Sequence, residues 1–300
     1  MKRIIGILLI ALMLFGVTAC ASPEREGPVT IATTCFAAYD FARSVAGDTG
    51  AEVKLIGGGA DLHSYNPSAE DILTVTECDL LVYVGGESDA WVLEIERKEH
   101  SEAVNMLDVI GERVHYLHDH GKETEIPDEH VWMSIDNAHL IVKAISDALS
   151  RIDSANELKY DDNREQFSLK LNELDMKFRE AVEGYTLPTV VVADRFAFAY
   201  MFKDYNIGWY SAFDTCSADS EVSFETVTRL AGVVDKYSVP AIAVTESANP
   251  IADAVIQATK NGDCKTVVLD TMQSAKEDSS YIEIMQKNVS ALSLLLFEEK

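Results

Sequence analysis

The chain has 300 residues and is strongly acidic, with 50 Asp and Glu against 25 Lys and Arg. The net charge of −25 argues against nucleic-acid binding, which needs basic surface, and against charge-driven attachment to an anionic membrane. This length allows one large domain or two lobes, each with a proper core.

The first twenty residues have the order of an export signal. Lys2 and Arg3 precede an apolar run over residues 4–17, and small residues then lead to Cys20. This order is typical of a secretory signal, and the run is short for a membrane span. Small residues directly before a cysteine resemble the lipobox of bacterial lipoproteins. We therefore predict a signal peptide over residues 1–19 and a lipid anchor on Cys20; the alternative is an ordinary signal peptide with Cys20 incidental.

Removal of this leader places the protein on the extracytoplasmic face of a bacterial cell membrane, held there by acyl chains. Loss of Lys2 and Arg3 leaves 23 basic against 50 acidic side chains, a net charge of −27. An acidic surface attracts cations, although it also serves solubility alone.

The first part of the mature chain alternates strands with helices. Strands are predicted at residues 29–35, 52–56 and 79–84, and helices at residues 39–45, 69–76 and 87–99. This alternation predicts a mainly parallel sheet with helices on its faces. The polar stretch over residues 114–129 is predicted as a loop, and helical spacing of apolar residues returns over residues 138–152.

One long amphipathic helix is predicted in the middle of the chain. Residues 154–182 contain no proline or glycine, and apolar residues recur there at steps of three and four. Gly184 and Pro188 end the pattern. A long helix with strand–helix units on both sides indicates a connector between two lobes.

The second half repeats the alternation. Strands are predicted at residues 189–193, 241–245 and 266–270, and helices at residues 196–204, 223–237, 250–259 and 280–295. The predicted fold class is α/β, with two α/β lobes of mainly parallel sheets bridged by a single long helix. The predicted divisions are a linker (20–28), an N-terminal lobe (29–152), a connecting helix (153–186) and a C-terminal lobe (187–300).

Four cysteines follow Cys20. Cys35, Cys78, Cys216 and Cys264 permit two disulfides in three possible pairings. Their wide spacing favours buried thiols, or one bridge at most.

Polar side chains follow several predicted strands. His63, His130, Asp194, Glu246 and Asp270 are the candidates. Each alone has an ordinary explanation, since a loop histidine is usually a surface residue and an aspartate after a strand often caps a helix. Ligands of open α/β sheets bind beyond the carboxyl ends of the strands. There, two imidazoles and a carboxylate suit Zn²⁺ or Mn²⁺.

Several motifs in order resemble the metal-binding lipoproteins of zinc and manganese ABC importers, the ZnuA-like or cluster A-I solute-binding proteins. They are the loop HSYNPS at 63–68, the histidine-bearing stretch at 114–125, DEHVW at 128–132, SADSEVS at 217–223, Glu246, and VLD at 268–270. The resemblance covers residues 29–295.

This resemblance implies a binding protein and not an enzyme. It would capture a divalent metal, zinc first and manganese next, and deliver it to an ABC permease in the membrane. His63, His130 and Asp270 would be the metal ligands, and the protein would act as a monomer without nucleic acid. Affinity would fall as the pH drops through the histidine range. Three more histidines either gather ions or lie in solvent, namely His115, His118 and His120.

One position departs from the family pattern. The family's third ligand, a His or a Glu, falls on Arg195, and arginine cannot bind a metal. Either water completes the site, or Asp194, Glu246 or Cys216 takes the vacancy. A further possibility is that Arg195 pairs with Asp270 or Glu246 and alters the site's preference.

Two other classes of function stay open. A cell-surface zinc hydrolase would use two histidines and a carboxylate with an open position, but the sequence has no HExxH or GxSxG motif. A binding or adhesion protein for another solute is the second alternative, because an arginine in a cleft suits a carboxylate or phosphate.

Overall fold

The computed structural model describes residues 27–118, 125–213, 222–260 and 262–299. The predicted signal peptide and Cys20 lie outside these residues, as do His120 and Cys216. Within them, no helix combines the length and apolar character needed to span a bilayer.

Two sheets form the framework, and the long helix separates them along the chain. The strands are β1 (Thr30–Thr33), β2 (Glu52–Leu55), β3 (Leu80–Tyr83), β4 (Glu102–Asn105), β5 (Tyr116–His118), β6 (Glu125–Pro127), β7 (Pro188–Val192), β8 (Gly208–Ser211), β9 (Ala241–Val244), β10 (Lys265–Val268) and β11 (Phe297–Glu298). The first sheet has the order β2-β1-β3-β4 and is parallel throughout. In the second, β10, β9, β7 and β8 are parallel, while β11 joins β7 antiparallel.

The helices cover the faces of these sheets. They are α1 (Phe36–Ala46), α2 (Ala69–Glu77), α3 (Met106–Ile110), α4 (Ile135–Ile152), α5 (Glu157–Val182), α6 (Ala199–Asp204), α7 (Phe224–Tyr237), α8 (Pro250–Ala258) and α9 (Tyr281–Leu295). We call the first sheet with α1–α4 the front lobe and the second sheet with α6–α9 the rear lobe. The α/β class with parallel sheets and one long helix, predicted from the sequence, is confirmed.

The long helix α5 forms part of a core that both lobes share. Its 26 residues give a length of about 39 Å at about 1.5 Å per residue. Its buried side chains are Tyr160, Phe167, Leu171, Leu174 and Phe178. They pack among α1 and α4 of the front lobe and α9 of the rear lobe. The long helix is therefore part of the core between the lobes and not an exposed linker.

Two predicted segments differ in the structure. Residues 87–99 were expected to form a helix, but only Glu87–Glu94 is helical, and it is a 3-10 helix. The buried Asp89 explains this, because its Oδ2 accepts hydrogen bonds from the backbone nitrogens of Val84 and Gly85 and pulls the chain back toward β3. Residues 114–129 were expected to form a loop, yet β5 and β6 pair there as a short antiparallel ladder.

Three short strands carried too little pattern for prediction. β4 has two polar ends around Ala103 and Val104, β8 begins with a glycine, and β11 has only two residues. These strands form because they pair with neighbouring strands, and a local sequence pattern does not contain that information.

The described cysteines form no disulfide. Cys35, Cys78 and Cys264 are free and buried. Burial raises the pKa of Cys35 to about 12, so this thiol stays protonated and packs as a small apolar side chain.

Candidate metal centre

His63 stands in a tight turn that follows β2. Gly57 and Gly58 have φ values of +71° and +58°, a region open to glycine at little cost. A Cβ on Gly57 would meet the ring of Tyr65 at 2.7 Å. Asp61 then caps the turn, because its Oδ1 accepts from the backbone nitrogen of His63 at 3.0 Å. These contacts hold the imidazole at the carboxyl end of the first sheet.

His130 is fixed by a carboxylate two residues earlier in the chain. Asp128 Oδ1 lies 2.7 Å from His130 Nδ1 and 3.0 Å from its backbone nitrogen. Both side chains are almost completely buried. Because a carboxylate only accepts hydrogen bonds, Nδ1 carries the proton and the lone pair of the neutral ring is on Nε2. This tautomer is the one that binds a metal through Nε2.

The structure brings the two imidazoles together. His63 Nε2 and His130 Nε2 are 3.4 Å apart. Two nitrogens bound to one tetrahedral zinc at about 2.0–2.1 Å would be about 3.3 Å apart. The pair therefore has the spacing of two ligands of one ion.

Acidic groups surround the histidine pair. Glu129 Oε1 accepts from the backbone nitrogen of Ser88, and Glu129 Oε2 lies 3.7 Å from His63 Nδ1. Ser88 Oγ is 2.9 Å from the same Nδ1. Among the described residues, Glu129 Oε2 and Asp128 Oδ2 are buried side-chain oxygens without a hydrogen bond. This arrangement favours a cation at the pair.

Ser88 and Asp89 belong to this region although no motif pointed to them, and Glu129 of the DEHVW motif was not predicted to take part. A Cβ on Gly86 would come within 2.1 Å of Glu129 Oε1, so the glycine pair after β3 makes room for that carboxylate. Asp89 is buried behind it, and its pKa is raised to about 6 by burial, with Glu129 adding to the effect. The glycines after β3 were the one local signal for this packing.

Asp270 lies in the rear lobe, on the turn that follows β10. Its Oδ1 accepts from the backbone nitrogen of Met272 at 2.8 Å, and Asn288 bonds both its backbone nitrogen and its carbonyl oxygen. Asp270 and Glu246 line a polar cavity of about 460 Å³. Three residues further on, Gln273 Nε2 lies 3.2 Å from His130 Nε2.

The predicted triad is therefore only partly assembled. His63 and His130 meet, whereas Asp270 is engaged within its own turn. Over the described part of the chain, no three His, Cys, Asp or Glu side chains form a group that could hold a metal ion.

Arg195 pairs with the front lobe. Its Nη1 lies 3.5 Å from Oδ2 of Asp61, the residue that caps the His63 turn. The pairing with Asp270 or Glu246 considered from the sequence is thus replaced by one with Asp61, since the turn after β2 faces the carboxyl end of β7.

Asp194 makes its hydrogen bonds within the rear lobe. Its Oδ2 accepts from the backbone nitrogen and hydroxyl of Thr245 and from Asn249 Nδ2, all within 2.8 Å. Its Oδ1 accepts from the backbone nitrogen of Arg195. The structure therefore gives Asp194 a role in tying β7 to β9, while Cys216 lies outside the described residues.

His115 is packed and not free in solvent. Its ring lies on Tyr200 with centroids 4.4 Å apart, and burial, with Lys203 nearby, lowers the pKa of its imidazole. The side chains of His118 and His120 lie outside the description.

Comparisons with known proteins give the family. The sequence model described as "Zinc-uptake complex component A periplasmic" (ZnuA) matches residues 31–294. Zinc-binding lipoprotein AdcA of Streptococcus pneumoniae is 29% identical over 308 residues, covering 97% of this chain and 60% of that protein. High-affinity zinc uptake system protein ZnuA of Bacillus subtilis is 28% identical and is covered to 97%, as is this chain.

A solved structure agrees with these sequence matches. The Zn(II)-bound ZnuA-like domain of Streptococcus pneumoniae AdcA superposes with a TM-score of 0.70 at 28% identity, covering 89% of this chain and 98% of that domain. The chain thus spans about 60% of the curated AdcA protein and nearly all of its ZnuA-like domain. None of these relatives carries the name of an enzyme. The chain belongs to the ZnuA family of periplasmic zinc-uptake components.

Proposed function

We propose that this chain captures Zn²⁺ outside the cytoplasmic membrane and delivers it to an ABC permease. The ion is its cargo. His63 Nε2 and His130 Nε2 bind the metal, and Asp270 supplies a carboxylate from the rear lobe. The observation that carries the proposal is the 3.4 Å separation of the two Nε2 atoms, which suits one tetrahedral ion.

The chemistry of the surroundings supports zinc ahead of manganese. Zinc takes imidazole nitrogens readily, whereas manganese prefers sites dominated by oxygen. The relatives named above are zinc proteins, and two histidines come first in the ligand set proposed here. The acidic groups behind the histidines favour the divalent ion over neutral solutes.

The place of action follows from the leader. Signal cleavage before Cys20 and acylation of that cysteine would tether the mature chain, as a monomer, beside its permease. Its net charge of −27 (23 basic against 50 acidic groups) leaves the lipid, and not surface charge, to hold it at the membrane. We also propose that the mature chain divides into an N-terminal lobe (29–152), a connecting helix (153–186) and a C-terminal lobe (187–300).

Calorimetric titration of metal-stripped protein with Zn²⁺ tests the ligands. We expect one bound ion per chain, with affinity lowered at least about 100-fold in His63→Ala and His130→Ala and more modestly in Asp270→Ala. His100→Ala is the control, because His100 is exposed and lies outside the site. An unchanged isotherm in both histidine variants would overturn the assignment.

A further inference from the structure

The amide of Gln273 lies beside His130 Nε2, the atom that would offer its lone pair to a metal. Since His130 Nδ1 donates to Asp128, Nε2 accepts, and the amide of Gln273 donates to it over 3.2 Å. The hydroxyl of Thr271 lies 3.2 Å from Gln273 Oε1, which fixes the amide with its nitrogen toward the imidazole. A protein donor thus stands where the cation would bind.

The turn that carries Gln273 is held by Asp270. Asp270 Oδ1 accepts from the backbone nitrogen of Met272, whose φ is +64°. A side chain other than glycine in this left-handed region is strained. Thr271 adds a second restraint, because its carbonyl oxygen accepts from Trp132 Nε1 at 3.0 Å. The carboxylate expected to bind the ion therefore stabilises the turn that keeps Gln273 on His130.

A small cavity lies beside this turn. A cavity lined by Met272, Gln273, Leu62 and Trp132 offers about 10 Å³, close to the room that one water needs.

We propose that Gln273 is a placeholder that competes with the metal for His130, and that capture resets the turn over residues 270–273. This inference rests on the proposed function. Asp270 releases the backbone nitrogen of Met272 as it becomes a ligand, and Gln273 leaves His130 in the same movement. The strained turn then relaxes on loading, so the two events are coupled.

Competition from Gln273 makes the site select among metal ions. An ion gains the site only if its bond to imidazole outweighs the hydrogen bond from Gln273. Zn²⁺ meets this condition, whereas Mg²⁺ and Ca²⁺ prefer oxygen ligands and gain little from the ring nitrogen.

The test measures Zn²⁺ affinity of the full chain in mild detergent by competition with a chelator. Gln273→Leu keeps the bulk of the side chain and removes the donor. We expect it to bind Zn²⁺ about threefold to tenfold more tightly than the parent, as loss of one competing hydrogen bond implies. Gln273→Ala is the second variant if leucine disturbs the packing. Gln286→Leu, exposed on α9, is the matched control and should leave affinity unchanged.

A spectroscopic readout follows the turn itself. Because Trp132 donates to Thr271, its fluorescence should shift when Zn²⁺ binds, and Trp132→Phe should abolish that shift. In Gln273→Leu, part of the shift should be present before metal is added.

The outcomes separate the two proposals. If the parent protein binds no Zn²⁺, the proposed function is overturned, and the placeholder with it. If the parent binds Zn²⁺ while the Gln273 variants bind equally or more weakly, the placeholder is overturned and the function stands.

Discussion

At the scale of single residues, Asp128 and His130 form a unit that the sequence encodes locally. Two residues apart, they allow one carboxylate oxygen to accept from both the backbone and the ring of the histidine. Such a partner sets the tautomer of a ligating imidazole and raises its basicity. The DxH spacing therefore predicts this local contact, whereas the contacts of Glu129 and Gln273 are made only in the folded chain.

The Asp128→Asn substitution tests this unit. Asparagine keeps the shape but weakens the hold on Nδ1, so we expect Zn²⁺ affinity to fall about 10- to 100-fold with little change in folding. Calorimetry measures the affinity. Asp136→Asn is the control, since Asp136 is exposed on α4. Equal affinity in Asp128→Asn and the parent would show that the carboxylate does not orient the ring.

Asp89 makes folding stability depend on pH. Its pKa in the folded protein is raised from 3.8 to about 6 by burial, so the folded state binds a proton more tightly than the unfolded state. The contribution of this group is therefore fully present below about pH 4 and is lost as the pH rises through about 6. The loss is of order 3 kcal/mol.

We predict that Asp89→Asn removes this part of the pH profile. As the pH rises from about 4 to 7, the free energy of unfolding of the variant should increase relative to that of the parent, because asparagine has no charge to bury. Denaturant unfolding at several pH values measures the difference. Asp108→Asn, at an exposed position, should run parallel to the parent, and a parallel curve for Asp89→Asn would contradict the assignment.

At the scale of elements, the sequence was most informative where periodicity was long. The spacing of Phe167, Leu171, Leu174 and Phe178 predicted α5, since a 3.6-residue period over many turns leaves few alternatives. Prediction failed over residues 87–99, where only Glu87–Glu94 is helical, as a 3-10 helix, because one buried carboxylate outweighed local α-helical preference. At the candidate site, the sequence placed His63 and His130 among the polar groups expected to meet, but it gave no sign that Asp270 bonds within its own turn.

Substitutions of two leucines on α5 test whether this helix is part of the core that the lobes share. Leu171 is completely buried, whereas Leu169 is 57% exposed. Leu171→Ala leaves a cavity between the lobes and should lower the free energy of unfolding by about 2–5 kcal/mol. Leu169→Ala, the same change two residues away, should alter it by less than about 0.5 kcal/mol. Denaturant unfolding measures both, and similar values for the two variants would mean that α5 is not part of the shared core.

At the scale of the whole molecule, several hydrogen bonds join the two lobes. The buried Asp40 accepts from the backbone nitrogen of Tyr281 and pairs with Arg43, which donates to the carbonyl oxygens of Glu277 and Ser279. Near the site, Tyr200 donates to the carbonyl oxygen of Asp128. Such a molecule should load metal through local change in a turn and not through hinge closure.

Small-angle scattering with and without Zn²⁺ tests this expectation. For a chain of 300 residues, compactness implies a radius of gyration of about 19 Å. We expect the value to change by less than about 1 Å on loading, because the contacts of Asp40 and Arg43 and the shared core along α5 do not involve the site. The double variant Asp40→Ala, Arg43→Ala removes one of these joints, so its metal-free form should be larger and should contract when Zn²⁺ binds. A contraction of several ångströms in the parent would show that the lobes swing as bodies, and the restraint assigned to these contacts would be wrong.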